Sequence, residues 1–315
     1  MKGLDIVALG EAMVEFNQTA PGARTYLQGF GGDTSNFAIA AARQGARVGC
    51  VGALGDDVYG RMLRDLWREE GVDDSEVRAD PDAFTAVYFV THDADGHHFS
   101  FFRQGSAASR LDAETLPRAG IGSARVLHYS GISLAISPTA RGACHAAVEA
   151  ARAAGVKVCF DTNLRRKLWP LAEARTSIEA AIGTSDICLP SHDDLAAITG
   201  LADAQAMLDH CLRLGAGIVA LKLGAGGAWI ADQARRVRIA PHPCRPVDAT
   251  GAGDTFGGAF VARLLAGDDL ESAGRYAAVA AALSTEGYGA VAPIPSAEQV
   301  RAALAAHPPL KTSPP

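Results

Sequence analysis

Asp248-Ala249-Thr250-Gly251-Ala252-Gly253-Asp254-Thr255-Phe256 runs directly into an apolar stretch of small residues and helix formers that ends near Ala266. The pattern predicts a helix whose first turn holds Gly251, Ala252, Gly253 and Asp254. The first amides of a helix lack internal acceptors and carry the positive end of its dipole. Glycines there let the backbone approach an anion closely. A carboxylate beside such a turn would repel a phosphate, so Asp254 needs another reason to be there. Taking a proton from an alcohol that attacks phosphorus, while the amides stabilise charge on the transferring group, supplies one. A helix start whose glycines serve packing alone is the plainer alternative for any lone Gly-Xaa-Gly-Asp.

The whole chain sets the frame for that stretch. It has 315 residues, of which 48% are hydrophobic, enough for a large core in one main domain. A net charge of −6 and the lack of a basic run argue against nucleic acid as the main partner. Six scattered cysteines include no Cys-x-x-Cys pair and are expected to be reduced core thiols. No apolar run is long enough to span a bilayer and no leader precedes the first strand, so a cytoplasmic protein without a membrane partner is expected.

Working back to the N-terminus, Asp5–Gly10 reads as a buried strand, and Met13–Phe16 as a second extended piece. Gly31-Gly32-Asp33-Thr34-Ser35-Asn36 then opens a small-residue helix ending near Gly45. Its polar mouth suits a polyol, although taken alone Ser35 and Asn36 slightly favour simple helix capping. Strands and helices alternate, which indicates a parallel α/β sheet. One hairpin interrupts the rhythm: 85–90 and 98–103 flank the turn-forming 93–96. With segments 13–30 and 84–103 together, a small β lid over the main domain is expected, and Arg103 at its inner end could reach a bound anion. The turn histidines His92, His97 and His98 are expected to be solvated rather than metal-bound.

Further on, Val156–Phe160 ends in Asp161-Thr162-Asn163-Leu164-Arg165, polar and basic residues at the end of a strand where open α/β sheets bind ligands. Ser191-His192-Asp193-Asp194 opens a helix, and Ile218–Lys222 is a strand followed by Leu223-Gly224-Ala225-Gly226-Gly227. That glycine loop could let a nucleotide lie against backbone or could turn a hairpin. The tail 308–315 is proline-rich and expected to be disordered. No P-loop and no dinucleotide fingerprint occurs, which disfavours a P-loop enzyme and a dehydrogenase.

The two polar glycine stretches, 31–36 and 248–254, resemble in order and spacing the two signature motifs of the ribokinase-like (PfkB) carbohydrate kinases, over essentially the whole chain. The resemblance implies a three-layer α/β/α fold with a mainly parallel sheet and a small lid. Within the family, segments 101–107, 128–133 and 161–165 are most similar to 2-keto-3-deoxygluconate kinases. That implies transfer of the ATP γ-phosphoryl to the terminal hydroxyl of the sugar acid. Asp254 would be the base, and the amides of Gly251, Ala252 and Gly253 the anion hole. Gly32, Asp33, Asn36, Tyr88, Phe102, Arg103 and Arg165 would hold the sugar, the two arginines suiting a carboxylate. Asn163, Arg165, Ser191, Lys222, Gly224 and Gly227 would lie along ATP. Mg²⁺ would accompany the nucleotide with Asp194 reaching it through water, at a position where many relatives carry the Glu of Asn-x-x-Glu. A monovalent cation near the anion hole and a homodimer formed through the lid are further implications. Fructokinases share the Asn-Leu-Arg and Phe-Arg patterns, so fructose is the alternative acceptor. A non-catalytic sugar-acid-binding regulator is the alternative from another class.

Overall fold

A computed structural model describes residues 3–93 and 96–307, the side chain of His97 excepted. The centre of the expected hairpin turn, Ala94 and Asp95, and the tail 308–315 lie outside the described residues. Among the described residues there are thirteen strands. They are β1 (Ile6–Leu9), β2 (Met13–Gln18), β3 (Tyr26–Gly31), β4 (Val48–Gly55), β5 (Asp73–Asp80), β6 (Val87–Asp93), β7 (Gly96–Phe102), β8 (Val126–Ser130), β9 (Lys157–Asp161), β10 (Ile187–Cys188), β11 (Ile218–Lys222), β12 (Ala228–Ala231) and β13 (Arg236–Ile239). Nine form one sheet in the order β13-β12-β11-β10-β9-β8-β1-β4-β5. It is parallel from β5 to β11, and β12 and β13 run antiparallel at one edge.

Alternation along the central strand explains the layers. Ile6 and Ala8 point into a core shared with helices Asp33–Arg43, Ala252–Ala266 and Leu270–Ser284. Val7 and Leu9 point into the opposite core, with helices Pro138–Ala153, Leu171–Gly183 and Ala204–Leu214. Every residue of β1 and β8 is buried, as expected of strands covered on both faces. The fold is therefore the expected three-layer α/β/α arrangement. Chain order reverses between β1 and β8, and in open sheets of this kind the crevice at such a switch point is where ligands bind.

The remaining strands form a four-stranded sheet in the order β3-β2-β6-β7, built from the two segments expected to make the lid. β2 and β6 pair in parallel, and the other pairings are antiparallel. Strand β5 was not expected: Asp73-Asp74-Ser75-Glu76 has little β propensity, and pairing with β4 decides its conformation. The glycine loop after β11 is a hairpin turn, with Lys222 paired to Ala228 across it. A Cβ on Gly227 would stand 2.3 Å from the Ile239 carbonyl oxygen, so that glycine is required by the hairpin itself. Among the described residues all six cysteines are free thiols, five of them buried.

Candidate active site

Two helix mouths meet at the switch point. Helix Ala252–Ala266 starts from Gly251, whose φ of 75° is left-handed and whose Cβ would crowd the Ala290 carbonyl oxygen at 2.9 Å. Asp248 shapes the approach: its carboxylate accepts from the Thr250 amide at 2.9 Å, the Thr250 hydroxyl at 2.6 Å and the Gly289 amide at 2.9 Å. The Ala252 amide turns onto the Ala249 carbonyl at 3.2 Å. Further along, a Cβ on Gly258 would lie 2.4 Å from the Phe37 carbonyl oxygen, and one on Gly257 3.2 Å from the Phe37 ring. These glycines let the helix press against helix Asp33–Arg43, and the close packing brings both N-terminal ends together.

At that junction Asn36 Nδ2 donates to Asp254 Oδ2 at 2.9 Å. Asn36 Oδ1 is buried with no partner, leaving an acceptor beside the carboxylate. Burial, and then the nearby Asp33 carboxylate, push the Asp254 carboxyl up to about 8, against the Asn36 hydrogen bond and the Lys222 charge. The group is then largely protonated at pH 7, and its ionised fraction, which grows as pH rises towards 8, is the form that can take a proton.

The capping expected of Ser35 and Asn36 does not occur. Gly32, at φ 105°, is the N-cap and no side chain caps the helix. Ser35 accepts from Trp67 Nε1 at 2.9 Å, and Asn36 faces Asp254. A Cβ on Gly32 would lie 2.4 Å from the Glu11 carbonyl oxygen, so the loop after β1 packs directly on this mouth.

The ends of β9, β10 and β11 complete the floor. Lys222 Nζ donates to Asp161 Oδ2 at 2.5 Å and lies 3.6 Å from where a Gly253 Cβ would stand. Burial opposes the Lys222 charge, but the Asp161 carboxylate outweighs it and keeps the ammonium protonated beyond its ordinary range. Asn163 has a φ of 28°, the one non-glycine residue at positive φ among those described, and its Nδ2 donates to Asp33 Oδ2 at 2.9 Å. Asparagine tolerates that conformation best among non-glycine residues. Asp194 accepts from Thr162 Oγ1 at 2.8 Å, and Ser191 caps the helix His192–Thr199 by accepting from the Asp194 amide at 3.1 Å. Among the described residues no three acidic, histidine or cysteine side chains converge on a metal position.

From the small sheet, Tyr88 is buried and its hydroxyl donates to Glu15; burial, then that carboxylate, raise the phenol above its ordinary range. Phe102 is 57% exposed at the sheet's edge, and Arg165 is exposed with Nη1 on the Leu164 carbonyl at 3.0 Å. Arg103, expected to be free for an anion, is paired with the buried Glu11. Gly224, in the hairpin turn, has open space around it. Of the turn histidines, His92 Nε2 pairs with Asn17 Oδ1 at 2.8 Å and His98 with Asp93 at 2.9 Å. Glu11 and Glu15 were not expected at the site, and Asp161 was expected only as part of the polar end of its strand, with no role of its own. Each is a lone carboxylate in a strand or at its end, and its role is set by a partner more than sixty residues away in the chain.

A half-buried carboxyl, an ammonium and a glycine-built helix start, in which the Ala252 amide expected in the anion hole is taken by the Ala249 carbonyl, suit phosphoryl transfer to an alcohol. Comparison gives the same class: residues 4–297 match the pfkB family of carbohydrate kinases, and the chain belongs to that family. It is 35% identical over 294 residues to a 2-dehydro-3-deoxygluconokinase of Thermoproteus tenax, covering 89% of this chain and 88% of the relative. It is also 35% identical over 310 residues to Fructokinase-1 of Oryza sativa subsp. japonica, covering 94% and 96%. A solved fructokinase from Vibrio cholerae O395, with fructose, ADP and calcium ion bound, superposes with a TM-score of 0.85 at 29% identity, covering 95% of this chain and 98% of that one. No helix among the described residues is long and apolar enough to cross a membrane.

Proposed function

We propose that this sugar kinase transfers the γ-phosphoryl of ATP to the terminal hydroxyl of 2-keto-3-deoxygluconate. The observation that carries the mechanism is Asp254, half-buried at the N-terminal turn of its helix, hydrogen-bonded to Asn36 and near the Lys222 ammonium. Asp254 takes the hydroxyl proton as the oxygen attacks phosphorus. The new O–P bond forms as the bond to the β–γ bridging oxygen breaks, ADP leaves, and Asp254 returns its proton to solvent. Charge on the transferring group is met by the Gly251–Gly253 turn and by Lys222. Asp194 would hold Mg²⁺ carried by ATP through water, and the ion would supply further charge neutralisation. Gly32, Asp33, Asn36, Tyr88 and Arg103 hold the sugar, while Phe102, expected there too, lies on the lid face opposite Tyr88, edge-on to Phe89; Asn163, Ser191 and the hairpin at Gly224 and Gly227 flank the nucleotide. The small sheet acts as a lid that excludes water.

Support for a sugar acid comes from Arg165, an exposed cation in the loop that leaves the end of β9, and from the likeness to the 2-dehydro-3-deoxygluconokinase. One observation favours fructose as a second reading: Arg103 is already matched by a protein carboxylate. The apolar residues Leu27, Phe99 and Phe101, exposed on one face of the lid strands, are assigned to pairing with a second copy, which sedimentation would check. ADP release with Mg²⁺ and ATP, comparing 2-keto-3-deoxygluconate, fructose and ribose, tests the acceptor. Fastest turnover with the keto-deoxy acid supports the proposal. Preference for fructose keeps the mechanism and replaces the acceptor, and no turnover with any sugar refutes it.

A further inference from the structure

Glu11 follows Gly10 at the C-terminal end of the central strand β1, where the chain leaves the main sheet for the small one. Arg103 stands one residue beyond β7, where the chain returns. Glu11 is 2% exposed, accepts from Arg103 Nη2, and accepts from Ser106 Oγ at 3.2 Å. The Arg103 side chain is 11% exposed, and its guanidinium sits over the Phe101 ring, 5.6 Å from the centroid. Its Nε is buried without a partner. The Glu11 backbone packs directly on Gly32, so the pair stands immediately behind the mouth that presents Asp33 and Asn36.

We propose that Glu11 sets the class of sugar this site accepts, by matching the Arg103 charge and fixing its guanidinium. The inference rests on the sugar-kinase reading above. With Glu11 in place, a ligand carboxylate arriving at Arg103 gains little net attraction and meets a second negative charge close by. A sugar hydroxyl or keto oxygen can take the remaining N–H donors of Arg103 without that repulsion. Glu11 therefore makes this part of the seat read neutral oxygen groups, and recognition of a carboxylate falls to Arg165. Specificity is a difference between two affinities, and a repulsive group contributes to it as much as an attractive one.

The test measures kcat and KM separately for 2-keto-3-deoxygluconate and for fructose, with ADP release as readout. The proteins are the wild type, Glu11→Gln, Arg103→Gln and the double variant. Glu11→Gln keeps the shape and an acceptor for Arg103 but removes the charge. It is expected to raise the acid-to-fructose ratio of kcat/KM by about tenfold or more, through the KM of the acid, the scale of one nearby charge in a protein interior. Arg103→Gln leaves Glu11 unmatched and shifts the ratio the opposite way, and the double variant returns towards wild type. If Glu11→Gln fails to fold, Arg103→Gln still decides. A ratio unmoved within about twofold, or equal loss of kcat on both sugars, overturns the proposal and leaves Glu11 a structural group. A wild type that phosphorylates neither sugar refutes the sugar-kinase reading itself, before any variant is made, and the inference falls with it.

Discussion

Replacing Asp254 with asparagine is expected to make the ligand-free protein more stable while removing most of its turnover. The Asp254 carboxyl is held at about 8 by burial and by Asp33, against an ordinary value of 3.8. Between those two values the unfolded chain has released the proton and the folded chain has kept it. For a carboxyl raised on folding, stability therefore falls as pH rises from the ordinary value to the folded one, and is level above it. One unit corresponds to about 1.4 kcal/mol, so the ionisable Asp254 costs about 2 kcal/mol at pH 5 and about 4 kcal/mol at pH 7. Asparagine carries no such cost, and its carbonyl can still accept from Asn36 Nδ2, now at 2.9 Å from Asp254. Urea unfolding at pH 5 to 8, extrapolated linearly to water, reads the difference between the two proteins. The gap should open with rising pH and level off near pH 8. A gap that is flat in pH, or an asparagine variant less stable at pH 7, would refute the electrostatic reading of the site. Turnover should fall ~10²–10⁴-fold in the same variant, the scale for losing a general base.

Other consequences can be checked alongside. The kcat/KM of the wild type should rise with pH and level off close to pH 8, because it reports the free enzyme, whose Asp254 must lose a proton to act. A plateau already reached at pH 5 would exclude Asp254 as the base in this environment. Gly32→Ala, at φ 105° with a Cβ forced to 2.4 Å from the Glu11 carbonyl oxygen, should lose about 2 kcal/mol or more in urea unfolding. Lys222→Met leaves the buried Asp161 carboxylate unmatched and should cost about 3–5 kcal/mol, with part recovered by adding Asp161→Asn. No recovery in the double variant would mean that the pair is not the source of the loss.

Much of this protein can be read from short-range pattern. Buried strands such as Ile6–Leu9 and Ile218–Lys222, and the helix after Gly251, follow from periodicity and local glycine chemistry, which act within a few residues. The two polar glycine motifs mark the site because the backbone conformations they need exclude other residues. Strand β5 was not legible, since its acidic sequence becomes extended only by pairing with β4. Nor were the partners of the charged groups. Ser35 and Asn36 have the composition of caps, and only the packing of two helices turns one to Trp67 and the other to Asp254. Arg103 reads in sequence as a free anion clamp, and only the convergence of β1 and β7 sets it on Glu11. Local sequence determines conformation and the inventory of reactive groups. Which charge faces which, and so the proton affinity of Asp254 and the pairing of the Arg103 charge with Glu11, depends on contacts between segments distant along the chain, which only the tertiary structure decides.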